Sequence, residues 1–414
     1  MNLFILVWNY LRSRPLNTAL NIFLLSLGIA VITLLLVFNN QLQTKITGNS
    51  RGIDLVVGAK GSPMQLILCN IFHIDFPTGN IKLVEAERIS RNRLVKNAIP
   101  LALGDSYAGF RIIGTSNAYA TLYKAELAQG EWWSNEMEVT LGSYVAEKLA
   151  LNAGDKFTST HGLTTDGQDH EEGFFVVSGI MARTNSVIDN LILTSIESVW
   201  KVHDMHAADS LAGEETLTTP SRLVPTVSAT DSTKEITAML IQYRTAMGAI
   251  QMPRWVNGQS SLQAASPAFE TARLFAILGI GVDILKGFAY VLIGISGLSI
   301  FIALYNSLKE RNYDMAIMRT MGAGRGILVV SILLEGTVLT VIGCVLGMLM
   351  GHAALMAMAS WMGEAQKVGI TGFVFYAEEW IILVGSLFLG LVCALIPAIQ
   401  AYRTDISRVL AANG

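Results

Sequence analysis

The sequence predicts an α-helical membrane protein: one spanning helix, then a large α+β extracytoplasmic domain, then three more spanning helices. Three observations lead there. Only 15% of the 414 residues are charged and 52% are hydrophobic, with a mean hydropathy of +0.47, whereas an ordinary globular chain carries about 25% charged residues. The deficit is concentrated in four runs, each long enough to cross a hydrocarbon core of about 30 Å. Between the first and second runs, residues 41–275 hold 43 of the 61 charges, a normal surface for a folded domain. The net charge of -3 speaks against a nucleic-acid binder, which needs a basic patch to displace phosphate counterions. The cysteines, Cys69, Cys344 and Cys393, are too few for a disulfide scaffold.

The first element is a cytoplasmic segment, residues 1–14, with Arg12 and Arg14. The first span, 15–40, follows inside a run without charge from Pro15 to Thr44. Its apolar centre, 22–38, is too long for a signal peptide and lacks a small-residue cleavage site, so it reads as an uncleaved anchor. The domain of 41–275 has stalk ends and short β-rich pieces at 53–61, 110–116, 174–181 and 191–195. The stretch 138–157 reads as strand, amphipathic helix and strand. Residues 207–235, poor in aromatics and rich in Ser, Thr and Ala, read as a mobile excursion. From Ala264 a helical pattern runs into the second span, giving stalk and helix over 276–308.

Residues 309–325 form a short basic segment between the second span and the third, 326–358. A loop at 359–379, the fourth span at 380–402 and a tail at 403–414 complete the chain. Basic residues gather at Arg12, Arg14, Lys309, Arg311, Arg319, Arg325, Arg403 and Arg408, while the loop before the fourth span is acidic. The positive-inside rule therefore places both termini and 309–325 in the cytoplasm and 41–275 outside.

Several side chains invite a function. In 309–325, Met315, Met318 and Met321 offer apolar contacts while Lys309, Glu310, Arg311, Asp314 and Arg319 stay polar, which suits docking into a partner's groove. Glu335 lies about 15 Å past Arg325 along its helix, near the midplane, where a carboxylate must face protein or water. Gly343, Gly347 and Gly351 make a small-residue stripe for close helix packing, internal or between subunits. His161 and His170 in one polar loop, and His203 and His206 in another, read first as solvated polar loops, with a metal site such as zinc as the lesser reading. Trp132, Trp133 and Met137 offer either an apolar contact patch or core. VVGAKGSP (56–63) imitates a phosphate loop, but its lysine precedes the second glycine, so a structural turn is expected. No triad, Cys-x-x-Cys or spaced carboxylate pair points to an enzyme.

The segment KERNYDMAIMRTMGAGRGILVVSILLEGTVLTVIGCVLG (309–347) resembles the signature of FtsX-like, MacB-type ABC permeases. The ending IPAIQAYRTDISRVLAA (396–412) and the opening RSRPLNTALNIFLLSLGIA (12–30) are similar to theirs. IIGTSNAYATLYKAELAQGEWW (112–133) and VTLGSYVAEKLALNAGDKF (139–157) resemble the MacB-type periplasmic core. The resemblance, which extends to LolC/LolE-type permeases, implies a type VII ABC permease subunit in a bacterial inner membrane. It implies pairing with a second permease subunit, as homodimer or heterodimer, and use of ATP and Mg through a separate cytoplasmic ATPase, with no cofactor of its own. It also implies a periplasmic or membrane-embedded substrate such as a lipoprotein or peptide, and a possible periplasmic partner. A membrane-anchored sensor or scaffold, linked to zinc handling and without transport, is the alternative.

Overall fold

The computed structural model describes residues 3–13, 15–160, 169–202, 234–310, 312–361 and 370–403, the side chains of 160, 169–173, 312–314 and 316 excepted. The excursion expected at 207–235 falls almost wholly outside them. The chain divides into two compact units, one of Met1–Leu42, Ile277–Met362 and Ile370–Gly414, the other of Gln43–Ala276 and Gly363–Gly369.

The helices of the first unit, counted along the whole chain, are α1 (Leu3–Ser13), α2 (Pro15–Asn49, its last residues from Gln43 in the second unit), α9 (Pro267–Glu310, its residues up to Ala276 in the second unit), α10 (Asn312–Thr320), α11 (Arg325–Trp361) and α12 (Glu379–Arg403). Four of them, α2, α9, α11 and α12, are long and apolar enough to cross a membrane. Pro15 opens α2 at a position where its missing N–H costs nothing, and so separates α2 from α1. Helix α1 buries one apolar face, Val7 and Leu11, four residues apart, and leaves the apolar Phe4, Ile5 and Trp8 exposed. Val7 and Leu11 join Leu25, Ile29, Ile300, Leu304, Leu339 and Ala394 in one apolar cluster drawn from α1, α2, α9, α11 and α12.

The second unit is an α/β domain. Its strands are β1 (Leu55–Ala59), β2 (Ile81–Lys82), β3 (Val95–Tyr107), β4 (Phe110–Thr115), β5 (Leu127–Gly130), β6 (Glu138–Leu141), β7 (Lys156–Thr160), β8 (Asp169–Met181), β9 (Leu191–Thr194), β10 (Glu235–Ile236), β11 (Ala238–Tyr243) and β12 (Leu262–Ala265). Its helices are α3 (Pro63–Asn70), α4 (Leu83–Ser90), α5 (Asn117–Leu122), α6 (Ser143–Leu149), α7 (196–202) and α8 (Met247–Gln259). The large sheet runs β12-β1-β11-β3-β4-β9-β6-β8-β5, with β7 against β3 and β8. Pairing is antiparallel except β4 with β9 and β6 with β8.

Each half of the sheet has its own core. Leu55, Val57, Met239 and Ile241 pack with Ile89 of α4 and with Met252 and Val256 of α8. Phe110, Ile112, Val139, Leu141, Phe175 and Ile192 pack with Val145 of α6. Four successive residues of β9 and all six of β4 are buried, as expected for strands covered on both faces.

Candidate coupling site

Helix α10 puts its apolar residues to two uses. Met315 is buried, and together with half-buried Met318 it packs on Leu308, Leu328, Ile332, Ala398 and Ala401, which belong to α9, α11 and α12. Met321 (83% exposed) and Ile317 (38%) remain outside. The three methionines singled out in the sequence therefore do not share one face: two bind α10 to its own unit, and Met321, in the turn just past α10, is exposed. Lys309 and Glu310 are exposed and Arg319 is half-buried. Arg311 and the side chain of Asp314 lie outside what is described. The Arg325 guanidinium sits 5.6 Å from the centre of the Tyr402 ring, which ties the start of α11 to the end of α12.

Glu335 is buried at 6% exposure. It lines a cavity of about 20 Å³, room for one water molecule, with Tyr10, Ser307, Ser331, Met315 and Met318 among its other walls. Ser307 Oγ is buried there without a hydrogen-bond partner among the described residues. The carboxyl group thus lies directly beneath the methionines that seat α10.

The glycine stripe is internal to the unit. A Cβ on Gly343 would stand 2.8 Å from Leu25 Cδ2, one on Gly347 2.7 Å from Ser26 O, and one on Gly351 2.8 Å from Ala30 O. At the last two, the obstacle is the backbone of α2, so α2 and α11 touch main chain to main chain at two points about one turn apart. On its other side α11 meets α12 through Gly336 against Ala394, and Gly390 against Thr340.

A polar cluster at the opposite end of α11 was not anticipated. His352 and Glu379 are both buried, with Nε2 3.0 Å from Oε2. His352 Nδ1 lies 2.8 Å from the carbonyl of Gly372, which can only accept, so Nδ1 donates. Glu379 Oε1 accepts from Tyr376 N at 2.8 Å. Gln41 of α2 grips Thr371 twice, donating to its carbonyl at 2.7 Å and accepting from its N–H at 2.9 Å. Together these bonds fix the residues just before α12 onto α2 and α11. The pairing spans 27 positions; a lone histidine in an apolar helix and a glutamate opening the next were its only signals.

The other sequence-derived residues are placed as follows. His161, His203 and His206 lie outside the described residues, and only the backbone of His170 is described, within β8. No group of three or more His, Cys, Asp or Glu that could hold a metal occurs among the described residues. VVGAKGSP turns β1 into α3, where Ser62 caps the helix by accepting from Gln65 N. Trp133 is buried and stacks edge-on with half-buried Trp132, so most of that patch is core.

Comparison with known proteins gives two family matches. Residues 18–242 match the MacB-like periplasmic core domain and residues 286–406 match the FtsX-like permease C-terminal region. A Bacillus subtilis (strain 168) protein, described as the uncharacterized ABC transporter permease YknZ, is 24% identical over 150 residues, a stretch that spans 36% of this chain and 36% of the relative's own length. Among solved structures, the periplasmic region of MacB from Actinobacillus actinomycetemcomitans aligns at 11% identity and a TM-score of 0.34, covering 56% of this chain and 97% of its own. The extracellular domain of the noncanonic ABC-type transporter YknZ from Gram-positive bacteria aligns at 11% identity and 0.28, covering 52% and 99%. With the core-domain model matching more than half of the chain and the permease model following it in order, this chain belongs to the ABC transporter permeases that carry a MacB-like periplasmic core domain and an FtsX-like C-terminal region.

Proposed function

We propose that this chain is the subunit through which a separate cytoplasmic ATPase, using ATP and Mg, drives its core domain to export, extract or remodel a substrate outside the inner membrane. The substrate class that best suits the family resemblance is a lipoprotein, peptide or similar membrane-surface cargo. Both termini and residues 309–325 lie in the cytoplasm in this reading, on the strength of the basic residues clustered there. A second permease subunit completes the transporter.

The observation that carries the reading is the division of labour on α10. Met315 and Met318 fasten it to α9, α11 and α12, so a push on α10 is a push on three membrane helices, while Ile317 on the helix and Met321 in the turn that follows it stay exposed with room to dock. Helices α2 and α9, at 35 and 44 residues, are each about 50 Å or more in length, well beyond the bilayer core. That suits transmission of movement out of the membrane. The test is co-purification with the ABC ATPases of the same genome. Met321→Glu should abolish retention of one of them and leave the permease folded. Retention unchanged by Met321→Glu and by Ile317→Glu would exclude α10 as the docking element.

A further inference from the structure

Residues 71–80 join α3 to β2 and hold an apolar tip in solvent, with Ile74 48% and Phe76 62% exposed. Two buried groups hold the loop from beneath. Arg111 Nη2 donates to Asp75 O at 2.6 Å, and its guanidinium lies 6.0 Å from the Phe76 ring centre. His73, with φ of 55°, turns its ring inward, and Nε2 lies 2.9 Å from Tyr119 Oη. A positive φ is costly for a residue with a Cβ, so something must repay it here.

The bond from His73 opens a row of buried contacts. The Tyr119 ring meets the Tyr123 ring edge-on, their centres 5.2 Å apart, and Tyr123 Oη donates to the carbonyl of Asn49 at 3.0 Å. Asn49 is the last residue of α2, and its own side chain accepts from Val187 N at 3.1 Å. Burial together with the Arg111 charge keeps the His73 ring neutral, its pKa pushed down to about 3. Removing a polar group at either end of the row strands its partner and loosens the rings between them.

We propose that His73, Tyr119 and Tyr123 are positioning residues that link the end of α2 to loop 71–80, so that displacement of Asn49 resets the exposed tip at Ile74–Phe76. The permease reading supplies only the force that would move α2. The linkage itself is a property of the chain alone, and it can fail while the permease reading stands, or hold if that reading falls.

The experiment is hydrogen–deuterium exchange on the full chain in lipid nanodiscs, without ATP or any partner. Tyr123→Phe removes one hydroxyl and keeps the ring. Exchange should rise about three- to tenfold not only near 46–50 but also in loop 71–78, the equivalent of one net hydrogen bond. Linkage is reciprocal, so His73→Leu should raise exchange at 46–50. His73→Gln, which keeps a donor near the Nε2 position, should restore it. The Tyr123→Phe, His73→Leu double variant should be no worse than the single variants, since a row already cut cannot be cut again. Changes confined to each variant's own neighbourhood, or additive in the double variant, would overturn the proposal.

Discussion

The two units bury their interiors by different means. In the core domain, strands present alternating or continuous apolar residues to two separate clusters, so the sheet is held by large side chains withdrawn from water. In the membrane unit lipid is as apolar as the side chains, and withdrawal from water cannot sort one helix from another. There the specific contacts come from what is missing or polar: glycines that admit the α2 backbone to α11, and the His352–Glu379 and Gln41–Thr371 bonds that locate the start of α12. A core domain is specified by shape and water together, a helix bundle in lipid by close approach and a few hydrogen bonds.

That contrast can be broken in graded steps. The largest effect is expected from Leu141→Ala, which empties a fully buried position in the second core cluster and should cost about 3 kcal/mol. In thermal unfolding of the full chain it should lower the core-domain transition and leave that of the membrane unit in place. Movement of both transitions together would show that the units are not separately stabilised. Gly347→Ala should cost about 2 kcal/mol in the membrane unit, because the new methyl meets the Ser26 carbonyl, which cannot rotate away. Gly343→Ala should cost less, as Leu25 can change rotamer; equal losses at the two sites would refute the backbone-contact argument. Gln41→Leu should cost about 1 kcal/mol and be seen as faster amide exchange at 371–376.

The smallest effect concerns acid. Hydrogen bonds from Asn135 and Ser134 hold the Glu138 carboxyl well down, at about 2 against an ordinary 4.5. A carboxyl depressed in the folded state stabilises fully above its unfolded pKa, and the contribution drains away as pH falls from about 4.5 toward 2. Glu138→Gln should therefore flatten part of the acid dependence of core-domain melting in that window, while leaving the neutral-pH behaviour of the membrane unit unchanged. Identical acid slopes for the two proteins would remove Glu138 as a contributor.

The spanning helices were legible because hydropathy is a sum over some twenty neighbours and needs no knowledge of the fold. Strands such as β4 and β9 were legible for the same reason, as short apolar runs between turns. The sharing-out of Met315, Met318 and Met321 was not visible, because which side of a nine-residue helix faces inward, and where that helix ends, depends on α9, α11 and α12. The His352–Glu379 pair and the row from His73 to Asn49 were illegible because each joins residues from distant segments, brought together only after folding, and neither repeats at a spacing that a sequence pattern could carry.

The contact along Gly347 and Gly351 also has a mechanical meaning. Two rods that merely touch slide when bent, each resisting alone. Two rods keyed together by carbonyls seated in glycine notches cannot slip, and they bend as a single thicker beam. Helices α2 and α11 are keyed in this way at two points about one turn apart, and both hold the segment before α12, Gln41 through Thr371 and His352 through Gly372. Load applied to either is therefore carried as translation or tilt of the pair, with little lost to curvature, and filling a notch would loosen the beam before it unfolded the helices.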